Sequence, residues 1–392
     1  MLKSISLSLV FVLLSSCGGS VSSGGGSTPL GNGVEFDSVL SAGDKAGSSV
    51  AIEGAVVVVG APGDTGDEGA LYVFRENSAG VFEEEAKLKS SDIGAGDNFG
   101  LTVALSPNLI AVGAPGHNSG SGAVYLFRYS SGAWVEEEKL EASDGAAGDA
   151  FGKSLALDVS LLAVGAPDKN SSEGKAYVFE YASALWAEVA DFSATTAVGG
   201  GEFAADLAVD LSNNRVAVGN GGESVAPHSF AGAVYIFEKN PTWSFQQKFT
   251  PAAATTGTRF GFALDIGVDR VVAASPNNES AYVFEFDGTS WNETATLAPA
   301  DNVSGDRFGE KIRVLADSVL IGTPFRDEDS MLDSGKAYLF EYDGSSWSEV
   351  DDYIDQTTIA GAGLATSIDL SAGHVILGAP MADGTKGAFY IF

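Results

Sequence analysis

The stretch FGLTVALSPNLIAVGAP, residues 99–115, contains two runs of apolar residues separated by the turn letters SPN. The stretch FGKSLALDVSLLAVGAP, residues 151–167, has the same landmark letters at the same offsets. Short runs rich in Val, Leu and Ala that end at Gly, Pro, Asn or Ser predict two β-strands joined by a tight turn. Because the phrase returns after about fifty residues, we expect a repeat architecture built from one sheet-forming unit.

A second repeated phrase marks a third strand in each unit. Every copy has a tyrosine followed two residues later by a phenylalanine, and residues two apart share one face of a strand. The seven copies are GALYVF (69–74), GAVYLF (122–127), GKAYVF (174–179), GAVYIF (232–237), ESAYVF (279–284), GKAYLF (335–340) and GAFYIF (387–392). A fourth strand follows most copies, as in AWVEEEKLEA (133–142).

A four-stranded sheet of this size cannot bury both faces alone, but seven such sheets arranged radially can. The sequence therefore predicts an all-β fold over residues 34–392, a seven-bladed β-propeller of four-stranded blades. The last unit stops at Phe392 after its third strand, and VEFDSVLSAGD (34–44) reads as an unpaired fourth strand. We expect this N-terminal strand to complete the last blade and close the ring.

The recurring FG and GAP phrases resemble the FG-GAP repeat family, which is known from the integrin alpha-subunit propeller and from bacterial surface proteins. The resemblance covers residues 34–392 and implies a propeller that binds ligands with its loops. Several blades of integrin-type repeats carry a calcium loop, D-x-D-x-D-G-x-x-D, between FG and GAP. This chain has short turns there instead: SPN (106–108), DVS (158–160), GVD (267–269), ADS (316–318) and SAG (371–373). Calcium takes six to eight oxygens, so we do not expect the family's calcium sites here.

The N-terminus has the layout of a signal peptide. Lys3 precedes a short apolar run, and LSSC (14–17) resembles a bacterial lipobox, which predicts residues 1–17 as a lipoprotein signal and Cys17 as the lipidated residue. The alternative is an ordinary secretory signal with a chance cysteine. Residues 18–33 are rich in Gly and Ser and predict a flexible tether. Gly18, in place of an aspartate, favours the outer membrane or cell surface by resemblance to Gram-negative lipoproteins.

The formal net charge is −31, from 21 Lys and Arg against 52 Asp and Glu. So acidic a chain repels nucleic acid and anionic lipid headgroups, so we expect membrane contact through the lipid anchor only. The three histidines, His117, His228 and His374, form no metal-ligand pair, and no GxSxG elbow occurs. The sequence predicts neither an enzyme nor a cofactor, with calcium left open.

Strand alternation places the loops between strands 2 and 3, and those between blades, on one face of the propeller, which we call the long-loop face. Function concentrates in loops on a rigid scaffold. Two acidic loops there are either solvated charge runs or a cation site: Asp64, Asp67 and Glu68 in one, and Asp327, Asp329 and Asp333 in the other. The further ligand candidates are His228, Phe230, Phe325 and Arg326.

Two recurring features favour structural roles. An aspartate precedes the FG position in several units (Asp44, Asp97, Asp149 and Asp306) and is interpreted as a turn cap. A tryptophan recurs in the fourth strand (Trp134, Trp186, Trp243, Trp291 and Trp347) and is interpreted as packing between blades. Function is then predicted as a lipid-anchored binding or adhesion module for a protein or glycan. A structural scaffold in envelope assembly and, less favoured, a propeller hydrolase are the alternatives.

Overall fold

The structure is a computed structural model, and it describes residues 40–195, 201–328, 331–354 and 360–392. The predicted signal peptide with Cys17, the predicted tether, residues 34–39 and Asp329 lie outside the described residues. Among the described residues, no helix has the length and apolar character needed to cross a bilayer.

The described strands form seven sheets, six of four strands and one of three, and each sheet is one blade. Blade 1 holds β1 Ser49–Glu53, β2 Val56–Ala61, β3 Ala70–Glu76 and β4 Phe82–Leu88; blade 2 holds β5 Thr102–Ser106, β6 Leu109–Ala114, β7 Ala123–Ser130 and β8 Ala133–Leu140. Blade 3 holds β9 Ser154–Asp158, β10 Leu161–Ala166, β11 Lys175–Ala182 and β12 Leu185–Phe192; blade 4 holds β13 Leu207–Asp210, β14 Arg215–Asn220, β15 Ala233–Lys239 and β16 Trp243–Phe249.

Blade 5 holds β17 Leu264–Ile266, β18 Arg270–Ser275, β19 Ser280–Phe286 and β20 Trp291–Leu297; blade 6 holds β21 Lys311–Leu315, β22 Ser318–Thr323, β23 Lys336–Tyr342 and β24 Trp347–Tyr353. Blade 7 holds β25 Ser367–Ser371, β26 His374–Ala379 and β27 Ala388–Ile391. Short helical turns join strands 2 and 3 in five blades: α1 Asp64–Asp67, α2 His117–Gly120, α3 Lys169–Ser172, a 3₁₀ turn at Pro276–Asn278, and α4 Ala382–Thr385.

Within each blade the strands are antiparallel and follow chain order. The turns that replace the family's calcium loops are tight hairpins, as predicted; in blade 2, for example, Ser106 pairs with Leu109. The predicted blade architecture of the fold is therefore confirmed.

The aromatic stripe of each third strand packs against the neighbouring blade. Between blades 1 and 2, Phe99 lies edge-on to Tyr125 and Phe127, with ring centroids 5.6 and 6.1 Å apart. These side chains share one buried cluster with Val58 and Val73 of blade 1. Trp134 joins the same cluster and stacks obliquely on Tyr129, which confirms a packing role for that tryptophan. Burial of this aromatic and aliphatic surface between neighbouring sheets stabilises their packing.

Each FG position also makes the same turn at the inner edge of its blade. In all seven blades the residue before the FG position has a positive φ, between 55° and 64°, and its carbonyl accepts a hydrogen bond of 3.1 to 3.2 Å from the N–H three residues later. The seven turns are 45–48, 98–101, 150–153, 202–205, 259–262, 307–310 and 363–366. We call these residues the rim, because the last residue of the turn lines the mouth of the central channel in blades 1 to 4.

The ring closes between the N-terminal residues and blade 7. Ala46 forms a parallel bridge with Gly387, which repeats the bridges between Phe99 and Gly69 and between Phe151 and Gly122. Residues 43–47 thus occupy the place that an FG phrase takes in other blades. The sequence predicts residues 34–44 as a strand that completes blade 7. Residues 34–39 lie outside the described residues, whereas residues 40–44 form a turn, in which the Asp44 N–H donates to the Ser41 carbonyl at 3.1 Å, so the prediction is wrong for residues 40–44.

Candidate functional site on the long-loop face

The long-loop face carries a charged network under each of several blades, centred on the tyrosine of the third strand. In blade 1 the carboxylate of Asp64 accepts hydrogen bonds from the Tyr72 hydroxyl (3.0 Å) and the Lys87 ammonium (2.6 Å). Burial opposes ionisation of Asp64, but the bonds from Lys87, Thr65 and Tyr72 outweigh it and lower its pKa. Burial together with the Asp64 charge raises the pKa of Tyr72 to about 12.

The same network recurs with residues from different parts of the sequence. The tyrosine hydroxyl donates to Asp92 in blade 2, to Asp144 in blade 3, to Glu223 in blade 4 and to Asp301 in blade 6. A lysine pairs with that carboxylate in each case: Lys139, Lys175, Lys248 and Lys336. Paired and hydrogen-bonded charges are what partly buried positions tolerate, so these carboxylates brace the loops.

These networks account for several predicted site residues. Asp64 is buried and Glu68 pairs with Lys89, while Asp67 is exposed. Arg326, predicted as a ligand candidate, is mostly buried and bonds to Asp306 and Asp301 at 2.8 and 2.9 Å. Asp327 and Asp333 are exposed, and Asp327 accepts a bond from the Asp333 N–H. Within the described ranges, no group of three His, Cys, Asp or Glu side chains could hold a metal ion.

Three of the four aspartates before the FG position cap turns, as predicted, whereas the carboxylate of Asp306 pairs with Arg326. The carboxylates of Asp44, Asp97 and Asp149 each accept a hydrogen bond from the N–H three residues earlier, at 2.6 to 2.9 Å. Two of them also hold a basic residue of the 2–3 loop, since Asp97 contacts His117 Nδ1 at 2.8 Å and Asp149 contacts Lys169 Nζ at 2.7 Å.

The loops between strands 2 and 3 divide the face into two halves. Eight residues separate these strands in blades 1, 2, 3 and 7, twelve in blades 4 and 6, and only four in blade 5. The short loop of blade 5 therefore lies between two longer loops and leaves a gap, which we call the saddle. Phe230 in the blade 4 loop and Phe325 in the blade 6 loop flank the saddle, and their side chains are 54 and 43% exposed.

Beside the saddle, guanidinium groups and rings alternate in a row that ends at Phe325, which we call the Arg–Phe row: Arg259, Phe262, Arg307 and Phe325. The guanidinium carbons of Arg259 and Arg307 each lie 5.4 Å from the Phe262 ring centroid, and Arg307 lies 5.7 Å from that of Phe325. Cation–π contacts of this kind hold a guanidinium in place with its polar edge free to bond. Sequence reasoning identified Phe325 but missed the other three.

Backbone hydrogen bonds fix the row between the loops. The Arg259 N–H donates to the Phe230 carbonyl at 3.0 Å. The Glu279 carboxylate, in the short loop, accepts from the N–H groups of Gly305, Arg307 and Phe308. Glu279 stands where all six other blades have glycine, so the signal for this anchor was present in the copy ESAYVF. His228 is half-buried and exchanges two backbone bonds with Val225.

The central channel is a cavity of about 190 Å³ lined by the first strands of the blades. At one inward position four blades have alanine, whereas blades 5, 6 and 7 have Asp265, Arg313 and Asp369. Arg313 Nε donates to Asp369 at 2.5 Å, and its Nη1 lies 3.5 Å from Asp265. The carboxylates also accept backbone N–H groups of adjacent blades, Asp265 from Val314 and Asp369 from Ile52. These charges join blades 5, 6, 7 and 1, and the sequence prediction missed them.

A second cavity, of about 380 Å³, lies between blades 6 and 7 beside Tyr353, His374 and Phe392. It adjoins the edge of blade 7, where the sequence predicts a strand within residues 34–44 to pair, and residues 34–39 of that segment lie outside the described residues. For that reason we place the candidate site at the saddle.

Comparison with known proteins agrees with this architecture. The FG-GAP repeat model matches residues 37–74, 82–127, 134–179 and 291–340, and each matched segment ends at the phenylalanine of a third strand. No curated protein matches the chain. The matched segments agree with the seven-bladed ring: the chain is a seven-bladed β-propeller, and four of its segments match the FG-GAP repeat.

Proposed function

We propose that this propeller is a lipid-anchored binding or adhesion module of the bacterial cell envelope. It engages a protein or glycan through the long-loop face of blades 4 to 6. The FG-GAP propeller fold supports a binding function in general, because binding residues concentrate in loops that a rigid scaffold holds in place. The observation that carries the proposal is the saddle, where loop lengths change from eight residues to twelve, four and twelve.

Exposed apolar side chains support the same half of the face. Among the described residues, five large ones lie on the long-loop face, and these belong to the loops of blades 4 to 7: Phe230, Val303, Phe325, Leu332 and Met381. In blades 1 and 2 the place equivalent to Phe325 is held by Gly63 and Gly116. A Cβ added at either glycine would approach a backbone carbonyl oxygen within 2 Å. At this position the loops of blades 1 and 2 are packed too tightly for any side chain, whereas blade 6 has the exposed Phe325.

The N-terminal sequence supports the anchor. Cys17 is the only cysteine of the chain and follows the apolar run at the lipobox position. Diacyl or triacyl attachment gives stable membrane binding where a single chain is marginal. The Gly/Ser tether of residues 18–33 would hold the propeller away from the lipid surface.

The test is expression of the full chain in a Gram-negative host fed an alkyne analogue of palmitate. We expect label on the wild type, none on Cys17→Ser, and release of the propeller from intact cells by added protease. Unlabelled wild-type protein would refute the anchor. A labelled protein that intact cells shield from protease would place the module on the periplasmic side and refute surface adhesion.

A further inference from the structure

The rim of the channel mouth differs in charge from the rest of the protein. At the first and last positions of the seven rim turns there are four basic residues, Lys45, Lys153, Arg259 and Arg307, and two acidic ones, Glu202 and Glu310. The whole chain has 52 acidic residues against 21 basic ones. Three of the four basic residues pair with carboxylates of the chain itself: Lys153 with Asp168, Arg259 with Glu202 and Arg307 with Glu310. The two arginines stand on the neighbouring blades 5 and 6, and both belong to the Arg–Phe row.

We propose that the Arg–Phe row binds an acidic peptide segment of a protein partner, with carboxylates on Arg259 and Arg307. This inference rests on the proposed function, since it names the partner chemistry of the same face. Arginine and aromatic side chains are the residue types enriched at the energetic centres of protein interfaces. A planar guanidinium fork matches a carboxylate with two parallel hydrogen bonds.

The arrangement of the row favours carboxylates over a stacked sugar ring. Phe262 lies between two guanidinium groups at equal distances of 5.4 Å, so its ring is already engaged by cations. The same contacts hold the guanidiniums in place, which lowers the entropic cost of pairing with a ligand. The ring of Phe325, 43% exposed, remains for an apolar side chain of the segment.

In the structure, both guanidinium groups pair with glutamates of the chain itself, at the positions that we propose for the partner's carboxylates. Glu202 pairs with Arg259, and Glu310 pairs with Arg307 at 2.9 Å. The side chains of Arg259 and Glu202 are 32 and 42% exposed, and exposed ion pairs contribute little to stability. A partner carboxylate can therefore replace Glu202, and removal of the Glu202 charge should strengthen binding.

The test uses the purified full-length protein in detergent and two fluorescein-labelled peptides, (Glu-Glu-Tyr)₃ and its glutamine counterpart (Gln-Gln-Tyr)₃, followed by fluorescence anisotropy. We expect the acidic peptide to bind at least about tenfold more tightly. Arg259→Gln and Arg307→Gln should each weaken it about tenfold, the loss of one charge-assisted bond, and Glu202→Gln should tighten it. Arg75→Gln is the matched control, because it removes an exposed arginine–carboxylate pair on the outer wall of blade 1.

Equal binding of the two peptides, an equal loss in Arg75→Gln, or weaker binding in Glu202→Gln would overturn the inference. Tighter arginine-dependent binding of polygalacturonate, an acidic glycan, would overturn the choice of a peptide. Failure of the peptide test and failure of the proposed binding function can be told apart. Cross-linking at the saddle in cells detects a bound partner whether or not that partner is acidic.

Discussion

The hydroxyl of Tyr177 donates a 2.6 Å hydrogen bond to the carboxylate of Asp144, and the tyrosine itself is fully buried. The carboxylate comes from the loop that precedes blade 3, whereas the tyrosine lies in the third strand of that blade. One bond therefore ties the loop that enters a blade to its sheet. The corresponding carboxylate also comes from the entering loop in blades 2 and 6 (Asp92 and Asp301), whereas in blades 1 and 4 it comes from the 2–3 loop (Asp64 and Glu223).

Tyr177→Phe should reduce stability by about 1 kcal/mol, because a hydrogen bond to a charged acceptor is lost while Lys175 and Lys169 still compensate the exposed side of Asp144. Chemical denaturation measures this loss. The matched control is Tyr282→Phe in blade 5, whose hydroxyl accepts a bond from the neutral Asn278 amide, and its loss should be smaller. Equal losses would show that the carboxylate contact contributes nothing specific.

The pH dependence of stability should have opposite signs at two aspartates. Burial opposes ionisation of Asp144, but bonds from Tyr177, Lys175 and Lys169 outweigh it and lower its pKa. The stability from Asp144 is therefore present above its unfolded pKa, near 4, and is lost as the pH falls through its folded pKa. Asp144→Asn should lower the melting temperature at pH 7, and this deficit should shrink on acidification.

Asp206, in the channel, should behave in the reverse manner. Burial raises its pKa despite the nearby charge of Lys311 and the backbone bond from Leu264. The folded state then binds a proton more readily than the unfolded state, so stability falls as the pH rises through the interval between the two pKa values. Asp206→Asn keeps an oxygen for the Leu264 N–H, 2.9 Å away, and should melt higher than wild type at pH 8. A lower melting temperature at pH 8 would contradict the burial argument.

The strand pattern could be read from the sequence because it depends on local chemistry. Alternating apolar runs, turn residues and the Tyr-x-Phe phrase have fixed spacings, so blade number and strand order followed directly. The networks were harder to foresee, because the tyrosine's acceptor comes from the 2–3 loop in blade 1 (Asp64) and from the preceding loop in blade 3 (Asp144). The sequence does contain a signal for this difference. In blade 1 the fourth-strand residue opposite the tyrosine is Lys87, whereas in blade 3 the residue at that position is Asp191. The lysine of blade 3, Lys175, lies in the third strand and pairs with Asp191.

The saddle was only half predictable. Phe230 and Phe325 stood out because they lie in loops that depart from the repeat. Arg259 and Phe262 could not be recognised in this way, because both lie in the FG turn, and the residues at the equivalent positions of other blades are interpreted as structural. Only the ring geometry brings the turns of blades 5 and 6 together. Arg326 lies in an acidic loop, where an arginine is expected to be exposed. Its side chain is instead mostly buried and balances the buried charge of Asp306.

Millimolar calcium should leave the melting temperature unchanged. In the blade 1 loop Asp64 is already paired with Lys87 and Glu68 with Lys89. A site with a dissociation constant of about 10 μM would add about 2.7 kcal/mol at 1 mM calcium. An upward shift that chelator reverses, and that disappears in Asp327→Ala, would instead establish a cation site in the blade 6 loop.

Gly113→Ala should destabilise the ring by about 3 kcal/mol or more, since steric overlap in a packed core is poorly relieved. A Cβ there would lie 2.1 Å from the Gly152 carbonyl oxygen of the next blade and 2.2 Å from the Thr102 hydroxyl. Gly94→Ala is the control, because a Cβ there meets nothing within 4 Å. Denaturation midpoints of the two variants measure the difference, and similar midpoints would mean that neighbouring blades are not in close contact at Gly113.

The most direct test of the binding role is photo-cross-linking in intact cells from a benzophenone amino acid placed at residue 325, in the saddle. The control position is residue 268, an exposed valine in a hairpin on the opposite face. We predict a discrete cross-linked product from position 325 and none from position 268. A product from position 268 alone, or from neither position, would contradict a binding site on the long-loop face.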